Sequence, residues 1–422
     1  MNKLVFVAAL TLAGLPVTTE PVRADIDAVQ VWNGFALDAV RATRATDADA
    51  ARLYAMVNVA IYDAVNGLAH DRRSPALVPG PGPRHADPQA AAAAAAHAVL
   101  VRLDPARTPG YDARLHDDLA RLDGDGVAGG AEWGRQVGES VVAARTGDGS
   151  TPVESQPAGA GPGMFRAAWS GTQYRRVRPF AVADPARHVP GPPPALTSLA
   201  YAAAYAEVAV LGDAALPDDG LLATYQFWSL PAGSSQPPGE WLRIGLGVAG
   251  KQGLALADEA RLGALLTMAL ADTTVATVGA KYTYRHWRPT TAIREGDTDG
   301  NPVTAPNPGW SARAGSVGGT PEYVSGHSSY SGAGATVLAG FFCRDTIAFS
   351  HATDSAPGGA ARGYPGFTAA AAEAGRSRVY GGQHFDFSNR AGLGVGRDVA
   401  AEVLATSLLR RSGPTHYGAC PR

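Results

Sequence analysis

The chain has 422 residues, 45% of them hydrophobic and 18% charged, with a formal net charge of −2. This is ordinary globular composition, long enough for two packed helical units. The near-neutral balance gives no reason to expect nucleic acid or an anionic membrane surface as a partner.

Lys3, the apolar run from Leu4 to Leu15, and Val22-Arg23-Ala24 before Asp25 read as a secretory signal over residues 1–24, so a secreted or periplasmic location is expected. The apolar run is too short for a membrane span. No later segment holds the about 18 uninterrupted apolar residues a span requires, so stable membrane insertion is not expected. Over residues 25–43, Val29, Trp32, Ala36 and Val40 recur at helical spacing. Asp47 or Asp49 is expected to cap a second helix, with Leu53, Met56, Ala60, Ile61 and Val65 inward and Gly67 at its end. A Pro/Gly loop over 73–87 leads to Asp87-Pro88 and an alanine-rich helix, Pro88 suiting the first helical position. Two more helices are expected near 110–122 and at 127–145.

Over 146–194 the pattern gives way to Gly, Pro and Ser, interspersed with Trp169, Tyr174, Arg175, Arg176, Arg178 and Phe180. A long irregular segment often carries function; this one reads either as a substrate entrance or as a covering loop. Helix returns over 196–211 and 239–285, loop over 294–319, and a last helix over 391–409. Residues 297–301 have the start of a calcium-loop pattern, but Pro308 stands where a closing Glu belongs, so a turn is expected. Strand alternation is almost absent, and the fold class is all-α, in bundles built one against another.

Three segments carry the chemistry. Lys281 and Arg288 are two helical turns apart, so both are expected on one helix face, with Tyr282, Tyr284 and Trp287 between them and Pro289 ending or kinking the helix. Such a pair alone is usually a solvated surface. Arg's planar fork nevertheless suits two oxygens of one anion, and Lys adds a point charge. Ser325-Gly326-His327 precedes a small-residue helix pattern. The free N–H groups of a helix start form an anion site, and the histidine can move a proton there. Arg378 stands before His384 with Gly381 and Gly382 between, which allows a turn returning the histidine toward the arginine. His286, inside the first segment, is read as a packing or surface residue. The two cysteines, Cys343 and Cys420, would tie the tail to the helix after Ser-Gly-His if paired; export favours the bridge, but the sequence leaves it open.

K-x6-R-P, S-G-H and S-R-x5-H, in this order from Lys281 to His384, resemble the motifs of the superfamily shared by vanadium-dependent haloperoxidases and type 2 phosphatidic acid phosphatases. The preceding helices resemble the bacterial haloperoxidase-like group. The resemblance implies a helical region with a long loop over 25–195 and a bundle carrying the site over 196–422. It implies that Lys281, Arg288 and Arg378, with Ser325 and the Gly326 amide, bind the oxygens of vanadate or phosphate. His384 would ligate vanadium, or attack phosphorus in a phosphatase, and His327 would be the acid/base. The activity implied first is a haloperoxidase with vanadate as cofactor, using hydrogen peroxide to oxidise halide to hypohalite and so halogenate a small organic substrate. A secreted acid phosphatase with His384 as nucleophile is the alternative, and a non-halogenating oxyanion-binding homologue a third. Exposed bundle helices leave a homodimer open, without a heptad seam. Four positions depart from the family pattern. Val324 replaces a proline, and Ser388 replaces the acid four residues after the last histidine, with Asp386 the carboxylate nearby. Thr320 and Val278 stand where larger rings often do.

Overall fold

The computed structural model describes residues 27–417 and 420–421; the expected signal over 1–24 lies outside them. Asp27 accepts the Gln30 N–H at 3.1 Å and starts α1 (Ala28–Thr43), which buries Val29, Trp32, Ala36 and Val40. α2 (Asp47–Leu68) is capped by Thr46, whose hydroxyl accepts the Asp49 N–H at 3.1 Å. The cap is therefore neither Asp47 nor Asp49. Thr46 already has the extended backbone a cap needs, and Asp47 is left in the first helical turn. Pro88 opens α3 (Pro88–Leu103) behind the Asp87 cap. The alanine run is buried against α5 (Val127–Arg145), with α4 (Thr108–Arg121) between them in sequence.

The second half adds α6 (Leu199–Leu211), α7 (Asp219–Phe227), α8 (Gln236–Gln252), α9 (Leu256–Tyr284), α10 (Pro289–Arg294), α11 (Gly326–Phe341), α12 (Phe367–Tyr380) and α13 (Asp386–Thr406). The stretch expected as one helix over 239–285 is thus two, broken over residues 253–255. α6 starts later than expected, because Ser198 caps it through the Tyr201 N–H. α7, α10 and α12 fall where no helix was expected. Residues 297–301 form a turn closed on Asp299, which accepts the Asn301 N–H at 2.8 Å and the Thr304 hydroxyl. Among the described residues the strands are three short antiparallel pairs, so the class is all-α. Cys343 and Cys420 are joined, their Cα atoms 5.4 Å apart.

One apolar core runs through both halves, from Ala28 on α1 to Leu408 after α13. Its axis is α9, which packs on α2, α11 and α13. α9 is long and apolar enough to cross a membrane by length and composition, yet 94% of its most apolar 18-residue window is buried inside the protein. Two buried carboxylates fasten the long loops to this core. Asp63 on α2 accepts the N–H groups of Ala76, Leu77 and Val78 at 2.7–2.8 Å. Asp272 on α9 accepts those of Phe180, Ala181 and Val182 at 2.7–2.8 Å. Each satisfies a run of loop donors that burial would otherwise leave unpaired. The segment over 146–194 is thereby held along α9.

Candidate active site

Lys281 sits in the last turn of α9, buried, with its ammonium donating to the Pro321 carbonyl. Arg288 is not on the same helix face, as the spacing had implied. α9 ends at Tyr284, Arg285 turns left-handed (φ 50°), and Arg288 is an extended residue leading into Pro289 at the start of α10. The two side chains reach one place by different routes. Arg288 is locked there, its Nε donating to the Thr320 carbonyl and its Nη1 to the Gln383 carbonyl, both at 2.8 Å.

Ser325 caps α11: its Oγ accepts the Ser328 N–H at 3.4 Å and lies 2.8 Å from Ser328 Oγ. It stands one layer behind Gly326 and His327, which face a cavity of about 170 Å³. Lys281, Arg288, Arg378 and His384 line the same cavity. Arg378 comes from the last turn of α12, and the chain then folds back so that the Gln383 and His384 N–H groups both donate to its carbonyl, at 3.0 and 3.3 Å. Gly382 makes this turn feasible. Its φ is +71°, and a Cβ there would lie 2.6 Å from the Gly212 carbonyl oxygen.

The group that orients His384 was not found from the sequence. Glu322, fully buried, has Oε1 3.0 Å from His384 Nδ1 and accepts the Phe385 N–H at 3.0 Å. Its other oxygen lies 3.4 Å from His286 Nδ1. Burial alone would raise this carboxyl, but the two imidazoles outweigh it and hold it well below the usual range. Asp386 instead faces Arg376 at 2.9 Å and Arg390 at 3.1 Å. Ser388 Oγ is 3.5 Å from His384 Nδ1 and donates to the Glu322 carbonyl at 3.2 Å. His286 is a packing residue in the sense expected, buried among Tyr201, Phe385 and Phe387, but it is also the second neighbour of Glu322. The signal available was a lone acid, three residues before Ser325, in a run otherwise without charge.

These contacts fix a tautomer. Arg288 Nη1 can only donate, and it lies 2.9 Å from His384 Nε2, so Nε2 accepts. Nδ1 therefore carries the proton and donates a hydrogen bond to the Glu322 carboxylate, leaving the lone pair on Nε2. His327 is set the other way round: its Nε2 lies 3.0 Å from the Ser229 carbonyl, which can only accept, so Nδ1 carries the lone pair. Both imidazoles are held neutral. Burial lowers His327, Arg378 adding to it, and burial lowers His384 with Arg288 adding to it.

The cavity is short of negative charge. Burial pulls Lys281 well below its ordinary value and Arg288 down to about 10. Burial lowers Arg378 as well, and its Nε and Nη1 are buried without a hydrogen-bond partner. Unpaired guanidinium donors at the wall of a positive cavity fit the oxygens of a tetrahedral or trigonal oxyanion. Gly318 keeps the space open, since a Cβ there would meet Arg288 Cζ at 2.7 Å. The carboxylate at the rim is Asp47, whose Oδ2 lies 3.6 Å from where a Cβ on Gly326 would stand. Vanadate and phosphate both suit this donor set. Among the described residues no cluster of His, Cys, Asp and Glu could hold a bare metal ion.

Residues 261–411 match the VCPO second helical-bundle domain. No curated protein matches the chain by sequence. Among solved structures it is similar to the first bacterial vanadium-dependent iodoperoxidase, with a TM-score of 0.78 and 22% identity over 93% of this chain and 100% of that one. A holo-type bacterial vanadium-dependent chloroperoxidase is similar with a TM-score of 0.65 and 18% identity, over 85% of this chain and 92% of the other. An apo-type one gives a TM-score of 0.62 and 17% identity, over 92% and 95%. Residues 261–411 thus match a VCPO second helical-bundle domain, and the chain as a whole has the helical fold of these bacterial vanadium-dependent haloperoxidase structures.

Proposed function

We propose that the chain is an exported vanadium-dependent haloperoxidase that uses hydrogen peroxide to oxidise halide to hypohalite, which then halogenates a small organic substrate. The observation that carries this reading is a buried cluster of three cations around His384 Nε2, with two Arg378 donors left unpaired. In this reading Lys281, Arg288, Arg378 and the Gly326 amide would hold the vanadate oxygens and His384 Nε2 would ligate vanadium, while Ser325, expected among the oxygen binders, supports them from behind as the cap of α11. Bound vanadate supplies an electrophilic centre at which hydrogen peroxide becomes reactive toward halide.

The chain's own residues do the rest. The guanidinium forks are fixed before any anion arrives, so little reorganisation is needed as charge shifts. Glu322 keeps the proton on His384 Nδ1 and the lone pair on Nε2, the arrangement by which a carboxylate commonly orients a ligating histidine. His327 Nδ1 takes a proton from incoming peroxide and returns one to departing water. Burial depresses His327 most and the Arg378 charge adds to it; an anion in the cavity offsets the second part, so the basicity of His327 rises when it is needed. The signal-like N-terminus and the Cys343–Cys420 bridge support export.

The Glu322–His384 pair also favours a second reading, an acid phosphatase with His384 as nucleophile and His327 as acid/base, because an oriented neutral imidazole serves that chemistry equally. One experiment separates the two. Metal-stripped protein is assayed with peroxide, bromide or chloride and an activated diketone, with and without orthovanadate, beside an aryl phosphate. Vanadate-dependent halogenation that disappears in His384→Ala supports the haloperoxidase. Vanadate-inhibited phosphate release without halogenation overturns it, and silence in both favours a non-halogenating oxyanion binder.

A further inference from the structure

A second cavity, of about 220 Å³, adjoins the anion cavity and shares Asp47, Lys281 and Thr320 with it as wall residues. Whatever occupies one therefore abuts whatever occupies the other. The second chamber lies between α9 and the segment that Asp272 fastens along it, and its walls include Trp169, Tyr174, Val278 and Tyr330. The polar tips of the aromatic walls are engaged elsewhere. Trp169 Nε1 donates to Gln156 at 2.9 Å, Tyr174 donates to Asp49, and the Tyr330 hydroxyl lies 3.0 Å from Thr274 Oγ1. Mostly carbon is thus left facing the chamber.

One hydroxyl in the wall is different. Thr267 and Thr274 on α9 donate back to the carbonyls of Gly263 and Leu270, at 2.7 and 3.1 Å. Thr277, one turn further, lines the chamber with its Oγ1 buried and without a partner. A buried hydroxyl left unpaired costs free energy that a ligand's own hydroxyl can recover. Lys281 shares this wall with Asp47 and Asp49, so the chamber offers an anion no net positive charge. A dry cavity of about 150 Å³ holds benzene, so this volume suits one ring with substituents.

We propose that this chamber binds a neutral hydroxylated aromatic of the phenol class, its ring against Trp169 and Val278 and its hydroxyl on Thr277 Oγ1. The chemistry after binding rests on the haloperoxidase reading. Hypohalous acid formed in the adjoining cavity meets the ring before it meets bulk water. A ring carbon takes the halogen, the oxygen–halogen bond breaks, and the displaced ring proton leaves with the hydroxide as water.

Phenol is titrated calorimetrically into the full chain without vanadate, peroxide or halide. One saturable site is expected in the parent. Val278→Trp fills the chamber and abolishes that site, while the isosteric Thr277→Val weakens it about fivefold; both keep the parent's affinity for orthovanadate. No saturable binding in the parent, or unchanged phenol affinity in both variants, overturns the proposal. Vanadate-dependent bromination is measured beside it. Bromination without phenol binding sinks the chamber alone; phenol binding without bromination sinks the haloperoxidase reading and leaves the chamber standing.

Discussion

The two ring nitrogens of His384 meet opposite neighbours, a guanidinium on one side and a carboxylate on the other. That polarity is set by Glu322, a residue 62 positions away in sequence. Glu322→Gln should weaken orthovanadate binding about 10- to 100-fold, the usual range for removing a ligand's orienting partner. Calorimetry gives the affinity, and nitrogen shifts of His384 should report a mixed tautomer in the variant, which a merely structural lesion would not produce. Gly318→Ala is expected to do comparable harm from the other side. It forces a non-glycine residue to φ +92° and pushes a methyl into Arg288. A loss of about 1–2 kcal/mol in urea unfolding, with weaker vanadate binding, would bear this out. The cations and histidines around the cavity were legible from residue type and order. Glu322 was not, because a carboxylate's partner across the fold leaves no local spacing to read. The nearest acid in sequence, Asp386, points to arginines instead.

At the scale of elements, the cavity depends on where helices stop. Lys281 and Arg288 look like neighbours on one helix, but the left-handed turn at Arg285 separates them, and only tertiary contacts bring them back together. Pro88 marked the start of α3 from local chemistry, whereas the caps at Thr46 and Ser198 were missed. The break at Gly253 lies in an apolar stretch where glycine reads equally well as helix interior. The segment over 146–194 is ordered from both ends. Asp272 holds one stretch of it, and Asp148 joins its start to Arg52 at 2.8 Å and to Arg145. Asp272→Ala would leave three loop N–H groups without their acceptor. It should lower stability by at least about 3 kcal/mol and open the segment to protease. For Asp148, burial opposes ionisation but Arg52, the Ser150 N–H and Arg145 outweigh it, so its folded pKa is depressed. Its contribution is present above the unfolded value, near about 3.9, and is lost as pH falls through the lower folded value. Asp148→Asn should therefore cost about 3 kcal/mol at neutral pH. The gap to the parent should close in urea titrations taken into strong acid.

For the whole molecule, the all-α class followed from the near absence of alternating segments and from helical spacing in the first 150 residues or so. What the pattern did not convey is that one core passes through both halves, with α9 as its axis. That axis has a consequence during biogenesis. On the export route proposed above, the chain crosses a membrane unfolded, and α9 then presents a stretch that the insertion machinery weighs as a bilayer segment. Asp272 lies near its middle and is the charge that disfavours partitioning, by about 2.5–3.5 kcal/mol on insertion scales. The carboxylate that later fastens the loop would first keep the chain moving. Asp272→Leu should leave precursor lodged in the membrane fraction, whereas Asp63→Leu, which loses an equivalent loop anchor on α2, should not. Equal release of both variants would confine Asp272 to its part in the folded state.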